Sequence, residues 1–233
     1  MKSDFFTFKN FIVYHDKSSM KVSTDSVLLA CWCSVKDRRN ILDVGCGCGV
    51  ISLILANRNI DSTITLIDID ENSVIQSNEN IKNTDINNRA KAFLCNYREF
   101  RPEKQFNLII SNPPFYTEET FSPDETRNNA RHTSSLSFSD LSKKTSEIIT
   151  DDGVFCVIIP SAEAGNFISS AALHGLYLNR RTDVHTTAKK PCKRTMMEFS
   201  KTPSQTAYSK LYIRNDKNDF SEEYKRLTGD FYL

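Results

Sequence analysis

Asn40-Ile41-Leu42-Asp43-Val44-Gly45-Cys46-Gly47-Cys48-Gly49 sets a short apolar run directly before three glycines at alternate positions. Such a run, bounded by turn residues, reads as a strand buried on both faces. Residues 50–57 continue at helical spacing, so the stretch is the strand, glycine turn and helix of a nucleotide-binding βαβ unit. Glycine lets the backbone turn sharply and lets a ligand approach it closely. The spacing is Asp-x-Gly-x-Gly-x-Gly, not the Gly-x-Gly-x-x-Gly of dinucleotide binders. An acid ahead of the first glycine repels a pyrophosphate and attracts an ammonium group, which argues against a nicotinamide dinucleotide.

Downstream, residues 62–68 form a β-branched second strand ending in Asp68, with Ile69 beside it. The acid lies about 20 residues past the glycine turn, where a carboxylate holds ribose hydroxyls. Asp70 suits the N-cap of a helix over 71–82, with Val74, Ile75, Asn78 and Ile81 along one side. A third strand, 90–95, ends in Asn96-Tyr97. The amide of Asn96 can meet an adenine edge or simply cap a turn.

A fourth strand, 106–110, delivers Ser111-Asn112-Pro113-Pro114-Phe115-Tyr116 to its carboxyl end. Prolines lack backbone donors, so this is a poor way to extend a sheet. The Asn112 side-chain oxygen and the Pro113 carbonyl are two acceptors able to receive both hydrogens of an NH2 group, and Phe115 offers a stacking face. Pro-Pro also marks plain turns. In an open parallel sheet, ligands collect outside the carboxyl ends of the strands, so the glycine turn and the Asn112 loop face one crevice.

Around this unit, residues 5–8 and 11–14 read as a hairpin, and Thr24 as the N-cap of a helix running to Cys33. Residues 1–35 form an N-terminal extension to a domain of residues 36–233. Beyond a long polar stretch, 117–135, the pattern predicts a helix over 136–149, a turn at 151–153 and a fifth strand over 154–159. A helix over 162–174, strands over 176–185, 194–200 and 207–213, and a helix over 221–227 follow. The class is α/β, with a mostly parallel central sheet and an antiparallel edge.

Thirty Lys plus Arg oppose twenty-nine Asp plus Glu, a formal charge of +1, so any nucleic-acid grip is a local patch. No apolar run approaches the ~20 residues of a membrane span, and the first residues lack a signal peptide's apolar stretch, so the expected location is cytoplasmic. The seven cysteines include two Cys-x-Cys pairs, not the Cys-x-x-Cys of zinc sites, and read as small buried hydrophobes; no metal is expected.

Asp43 to Gly49, the acid ending the second strand and Asn112-Pro113-Pro114-Phe115 together resemble the S-adenosylmethionine-dependent amino methyltransferases of the Rossmann-like class I fold. With Phe11-Ile-Val-Tyr-His-Asp16, Met20-Lys-Val-Ser-Thr-Asp25, Ala130-Arg-His-Thr133 and Phe231-Tyr-Leu233, the whole chain resembles the bacterial tRNA adenine-N6 methyltransferases acting on adenosine 37 of a valine tRNA. The resemblance implies S-adenosyl-L-methionine as cofactor and the anticodon stem-loop as partner. It implies that Asn112, Pro113, Pro114 and Phe115 hold the target base. Asp43, Gly45, Gly47, Gly49, Asp68, Ile69, Asn96 and Tyr97 would hold the cofactor, joined by Thr24 and Asp25, whose segment is similar to a cofactor-side motif of DNA adenine methyltransferases. Asn96 departs from the family's usual Asp. Candidate RNA contacts are Lys9, Lys17 and Lys21, then Arg127, Arg131 and His132, and finally the cluster Lys189, Lys190, Lys193 and Arg194. Asn-Pro-Pro loops also occur in guanine-N2 and protein glutamine methyltransferases, and a non-catalytic RNA-binding module remains an alternative from another class.

Overall fold

The computed structural model describes residues 4–114 and 136–232. Phe115, Arg127, Arg131 and His132 lie outside them.

Strands β1 (Phe5–Thr7) and β2 (Ile12–Tyr14) pair antiparallel, the hairpin expected of residues 5–14. Helix α1 (Thr24–Trp32) follows, and its N-cap is Ser23, not Thr24: the Ser23 hydroxyl accepts from the Ser26 backbone N–H. Either hydroxyl satisfies the rule for a cap, and the sequence alone does not choose.

The main sheet is built from β3 (Asn40–Val44), β4 (Thr63–Asp68), β5 (Ala90–Leu94), β6 (Phe106–Ser111), β7 (Ile149–Pro160), β8 (Tyr177–His185), β9 (Cys192–Ser200) and β10 (Ala207–Tyr212). Their order is β10-β8-β9-β7-β6-β3-β4-β5. Every neighbouring pair is parallel except β7 with β9 and β8 with β9, so the reversed strand is β9. The chain reverses its direction of travel across the sheet between β3 and β6. A crevice opens at such a switch point.

Helices α2 (Val50–Arg58) and α3 (Glu71–Lys82) pack with α1 and α6 (Glu222–Thr228) over one face, whose core holds Ile41, Leu53, Ile64, Ile110 and Cys156. Helices α4 (Phe138–Ile148) and α5 (Ala164–Leu173) cover the other, over Leu42, Val44, Ile109, Phe155 and Phe199. Between β5 and β6 stands only a 3-10 turn, Tyr97–Glu99.

Two further expectations need revision. The turn foreseen at 151–153 is a bulge inside β7: Phe106 pairs Ile149 while Leu108 pairs Val154, so the extra residues loop out without ending the strand. The buried face of α3 only partly matches the Val74, Ile75, Asn78, Ile81 side: Ile81 is buried and Val74 packs against the core, but Ile75 is exposed and the other buried positions are the polar Ser73, Gln76, Ser77 and Asn80. Burial of this polar row is made tolerable by hydrogen bonds. Asn80 exchanges bonds of 2.9 and 2.8 Å with the Tyr14 backbone and donates to Cys48 O at 2.8 Å, while Gln76 accepts from Lys17 N at 2.8 Å. The N-terminal segment is thus fastened through α3 to the glycine turn.

Candidate active site

The glycine turn connects β3 to α2 with Gly45, Gly47 and Gly49 at φ of 71°, 56° and 81°, the left-handed region. A Cβ on Gly49 would stand 3.1 Å from Ser77 Oγ, whereas one on Gly45 would meet nothing within 4 Å. The turn is closed against α3 on one side and open on the other. Asp68, at the carboxyl end of β4, anchors it: Oδ2 accepts from Gly47 N at 2.9 Å and Oδ1 from Asp70 N at 3.0 Å. Asp70 caps α3, as expected. A carboxylate has about four lone-pair sites, so Asp68 retains acceptor capacity for hydroxyls. Burial raises its pKa, partly offset by these backbone donors.

Opposite, β6 ends at Ser111, whose hydroxyl donates to Val44 O at 2.8 Å and ties the two strand ends together. Asn112 follows, its amide nitrogen donating to Ser26 Oγ at 2.9 Å. Pro113 is buried and Pro114 exposed.

A cleft of about 390 Å³ lies between these loops. Of the residues singled out from sequence, Gly45, Gly47, Asp68, Ile69, Asn96, Tyr97, Asn112, Pro113 and Pro114 line it. Ser26, Arg98 and Leu136 also line it and carried no sequence signal beyond lying near motifs, as do Met20 and Cys46, which lie within motifs but were assigned no role. Lys21, grouped above with RNA contacts, is on this wall beside the glycine turn.

Thr24, Asp25, Asp43 and Gly49 are outside the cleft wall. Asp25 is held by Arg194, Nε to Oδ2 at 2.7 Å, an ion pair at the N-terminus of α1. Asp43 points to the α2 face, because side chains alternate along a strand and Val44 takes the cleft side. It is fully buried, receives the Ser52 hydroxyl at 2.8 Å on Oδ2, and its Oδ1 has no partner among the described residues. Burial pushes its carboxyl up to about 7, against 3.8 ordinarily. Its carboxyl is therefore not on the cleft wall.

This burial gives a pH prediction. A folded-state pKa raised above the unfolded one means the fold favours the protonated acid. Its contribution is complete below about 3.8 and is lost as pH rises through about 7. Asn at 43 keeps an acceptor for Ser52 and never ionises. The stability of Asp43→Asn relative to the wild-type chain should therefore rise by on the order of 2 kcal/mol between pH 5 and 8 in thermal or urea unfolding. A pH-independent difference contradicts this.

Asn96 accepts from Arg98 N at 3.1 Å and so caps the 3-10 turn at the cleft wall. Tyr97 is buried, and its hydroxyl is bonded to Thr145 at 2.9 Å. Among the basic candidates, Lys9 donates to Gly229 O at 2.5 Å and ties the hairpin to the end of α6. Lys17 pairs with Glu79. Lys190 and Lys193 are exposed, as is Lys189, whose ammonium is 3.9 Å from Asp216 in a surface ion pair. Arg194 pairs with Pro160 at the end of β7, so the 186–191 connection and the start of β9, with Lys193, lie at the carboxyl edge that also carries Asn112.

The Methyltransferase small domain family matches residues 17–133. A tRNA1(Val) (adenine(37)-N6)-methyltransferase of Phocaeicola vulgatus is 38% identical over 233 residues, covering 100% of this chain and 99% of the relative. One of Klebsiella pneumoniae is 36% identical over 231 residues, covering 98% and 94%. The fold is shared with a predicted O-methyltransferase of Agrobacterium tumefaciens at a TM-score of 0.69 and 17% identity, over 89% of this chain and 96% of that one. The strand order, the glycine turn and the end-to-end likeness converge: the chain belongs to the tRNA1(Val) (adenine(37)-N6)-methyltransferase family.

Proposed function

We propose that the chain methylates the exocyclic N6 of adenosine 37 in the anticodon loop of a valine tRNA, using S-adenosyl-L-methionine, in the cytoplasm. The observation that carries this reading is the single cleft shared by the glycine turn and by Asn112-Pro113-Pro114, in a chain similar end to end to relatives of that name.

The residues fit the cofactor. Open space over Gly45 leaves room for its methionine part, the spare acceptor sites of Asp68 suit ribose hydroxyls, and Ile69, 60% exposed, offers an apolar surface for a ring. The cofactor supplies an electrophilic methyl group. The chain supplies position: transfer to nitrogen needs a lone pair aimed at the methyl and no strong base. The lone pair of an adenine N6 is delocalised into the ring. Asn112 Oδ1 and the Pro113 carbonyl can hold its two hydrogens and favour tetrahedral geometry at nitrogen. The base leaves its loop stack to reach them. An anticodon stem-loop with adenosine at 37 should accept labelled methyl, and the same stem-loop with inosine there, which has oxygen in place of the amine, should accept none. Equal labelling contradicts the amine as target.

For the RNA grip the reading favours Lys189, Lys190 and Lys193, exposed at the edge that carries the cleft. Replacing Lys190 and Lys193 together by Glu should weaken stem-loop binding by roughly tenfold or more at low salt and flatten the salt dependence, since phosphate contacts release counterions. Unchanged affinity and slope would exclude this surface.

A further inference from the structure

We infer that Ser26 is a positioning residue for the target amine: it sets which end of the Asn112 amide faces the cleft. An asparagine side chain presents either an acceptor or a donor, and rotation by half a turn exchanges them. Only the acceptor can receive a hydrogen from an incoming NH2 group. The opposite orientation would set two donors against two donors.

The surroundings select one orientation. Ser26 is buried in the first turn of α1, at 8% exposure, and its Oγ receives the Asn112 amide nitrogen at 2.9 Å. The same Oγ receives the Ser23 hydroxyl at 3.1 Å, while Ser23 Oγ accepts from Ser26 N at 3.2 Å. Both lone-pair positions of Ser26 Oγ are thus taken, one by the Ser23 hydroxyl and one by the Asn112 amide nitrogen. Ser26 Oγ holds the nitrogen branch of Asn112 and leaves Oδ1 as the branch turned from that bond. Both residues line the cleft. The α1 turn is itself fixed on its outer side by the Asp25–Arg194 ion pair. The extension that seemed an addition to the catalytic domain therefore orients the group that receives the substrate.

This inference rests on Asn112 being the amine acceptor, and the test separates the two. Ser26→Ala is expected to lower single-turnover transfer roughly tenfold, with cofactor affinity by calorimetry and melting temperature nearly unchanged. Ser26→Thr, which keeps the hydroxyl, should restore most of the rate. In a nitrogen–proton correlation spectrum, the Asn112 side-chain NH2 pair should shift in Ser26→Ala, reporting loss of its acceptor. A rate within about twofold of wild type, an unmoved Asn112 pair, or an equal loss of cofactor affinity would each overturn the positioning role. Asn112→Ala is the control: if it also transfers normally, the reading of the loop fails, whereas an inactive Asn112→Ala beside a fully active Ser26→Ala overturns the positioning role alone.

Discussion

Asn112→Ala should lose transfer by roughly 10²-fold or more while binding S-adenosyl-L-methionine with wild-type affinity. The size follows from what the side chain does. Oδ1 is one of two acceptors proposed for the amine hydrogens, and it acts on the nitrogen as it becomes tetrahedral, so its contribution falls on the transition state and not on cofactor binding. Little structural damage accompanies the change. The Asn112 amide bonds Ser26, while the strand ends are held by Ser111 and Val44, which the substitution does not touch. Single-turnover kinetics and calorimetry on the same variant separate the two effects; a turnover near wild type would remove Asn112 from the mechanism.

Asp68→Ala should act in the opposite sense, raising the cofactor dissociation constant by roughly 10²-fold. Three consequences compound. The ribose loses its carboxylate acceptor, Gly47 N loses the bond that shapes the glycine turn, and Asp70 N loses the one that starts α3. Asp68→Asn should fall between, since an amide retains one acceptor oxygen for one of the two backbone donors. Calorimetry on the three proteins checks the order, and equal affinities would contradict it. At saturating cofactor, the remaining rate of Asp68→Asn should exceed that of Asn112→Ala, because only the latter lacks an amine acceptor.

The parts of the fold that rest on one-dimensional patterns are legible in the sequence. The strand, turn and helix of residues 40–58, the acid at 68 and the Asn-Pro-Pro loop on β6 follow from periodicity and turn chemistry, and the structure brings Asp68 and Asn112 to one cleft. What was illegible depends on packing between distant segments. The burial of the polar row of α3 is one such feature, because nothing in its own sequence says that residues 14–18 and the glycine turn will supply its hydrogen-bond partners. Asp43 looked like a ligand group because its neighbours are glycines. Strand alternation turns it away from the cleft, a fact that requires knowing which face α2 covers. Ser26 is one of many serines, and its meaning comes from a residue 86 positions later.

The substrate reading is tested by the methylated nucleoside itself. The protein is incubated with methyl-labelled cofactor and, in parallel, total tRNA and ribosomal RNA, both lacking the modification, and each RNA is digested. The label should appear in N6-methyladenosine from the tRNA, mapping to position 37 of a valine tRNA. Label in guanosine of ribosomal RNA, or in neither RNA, would contradict it.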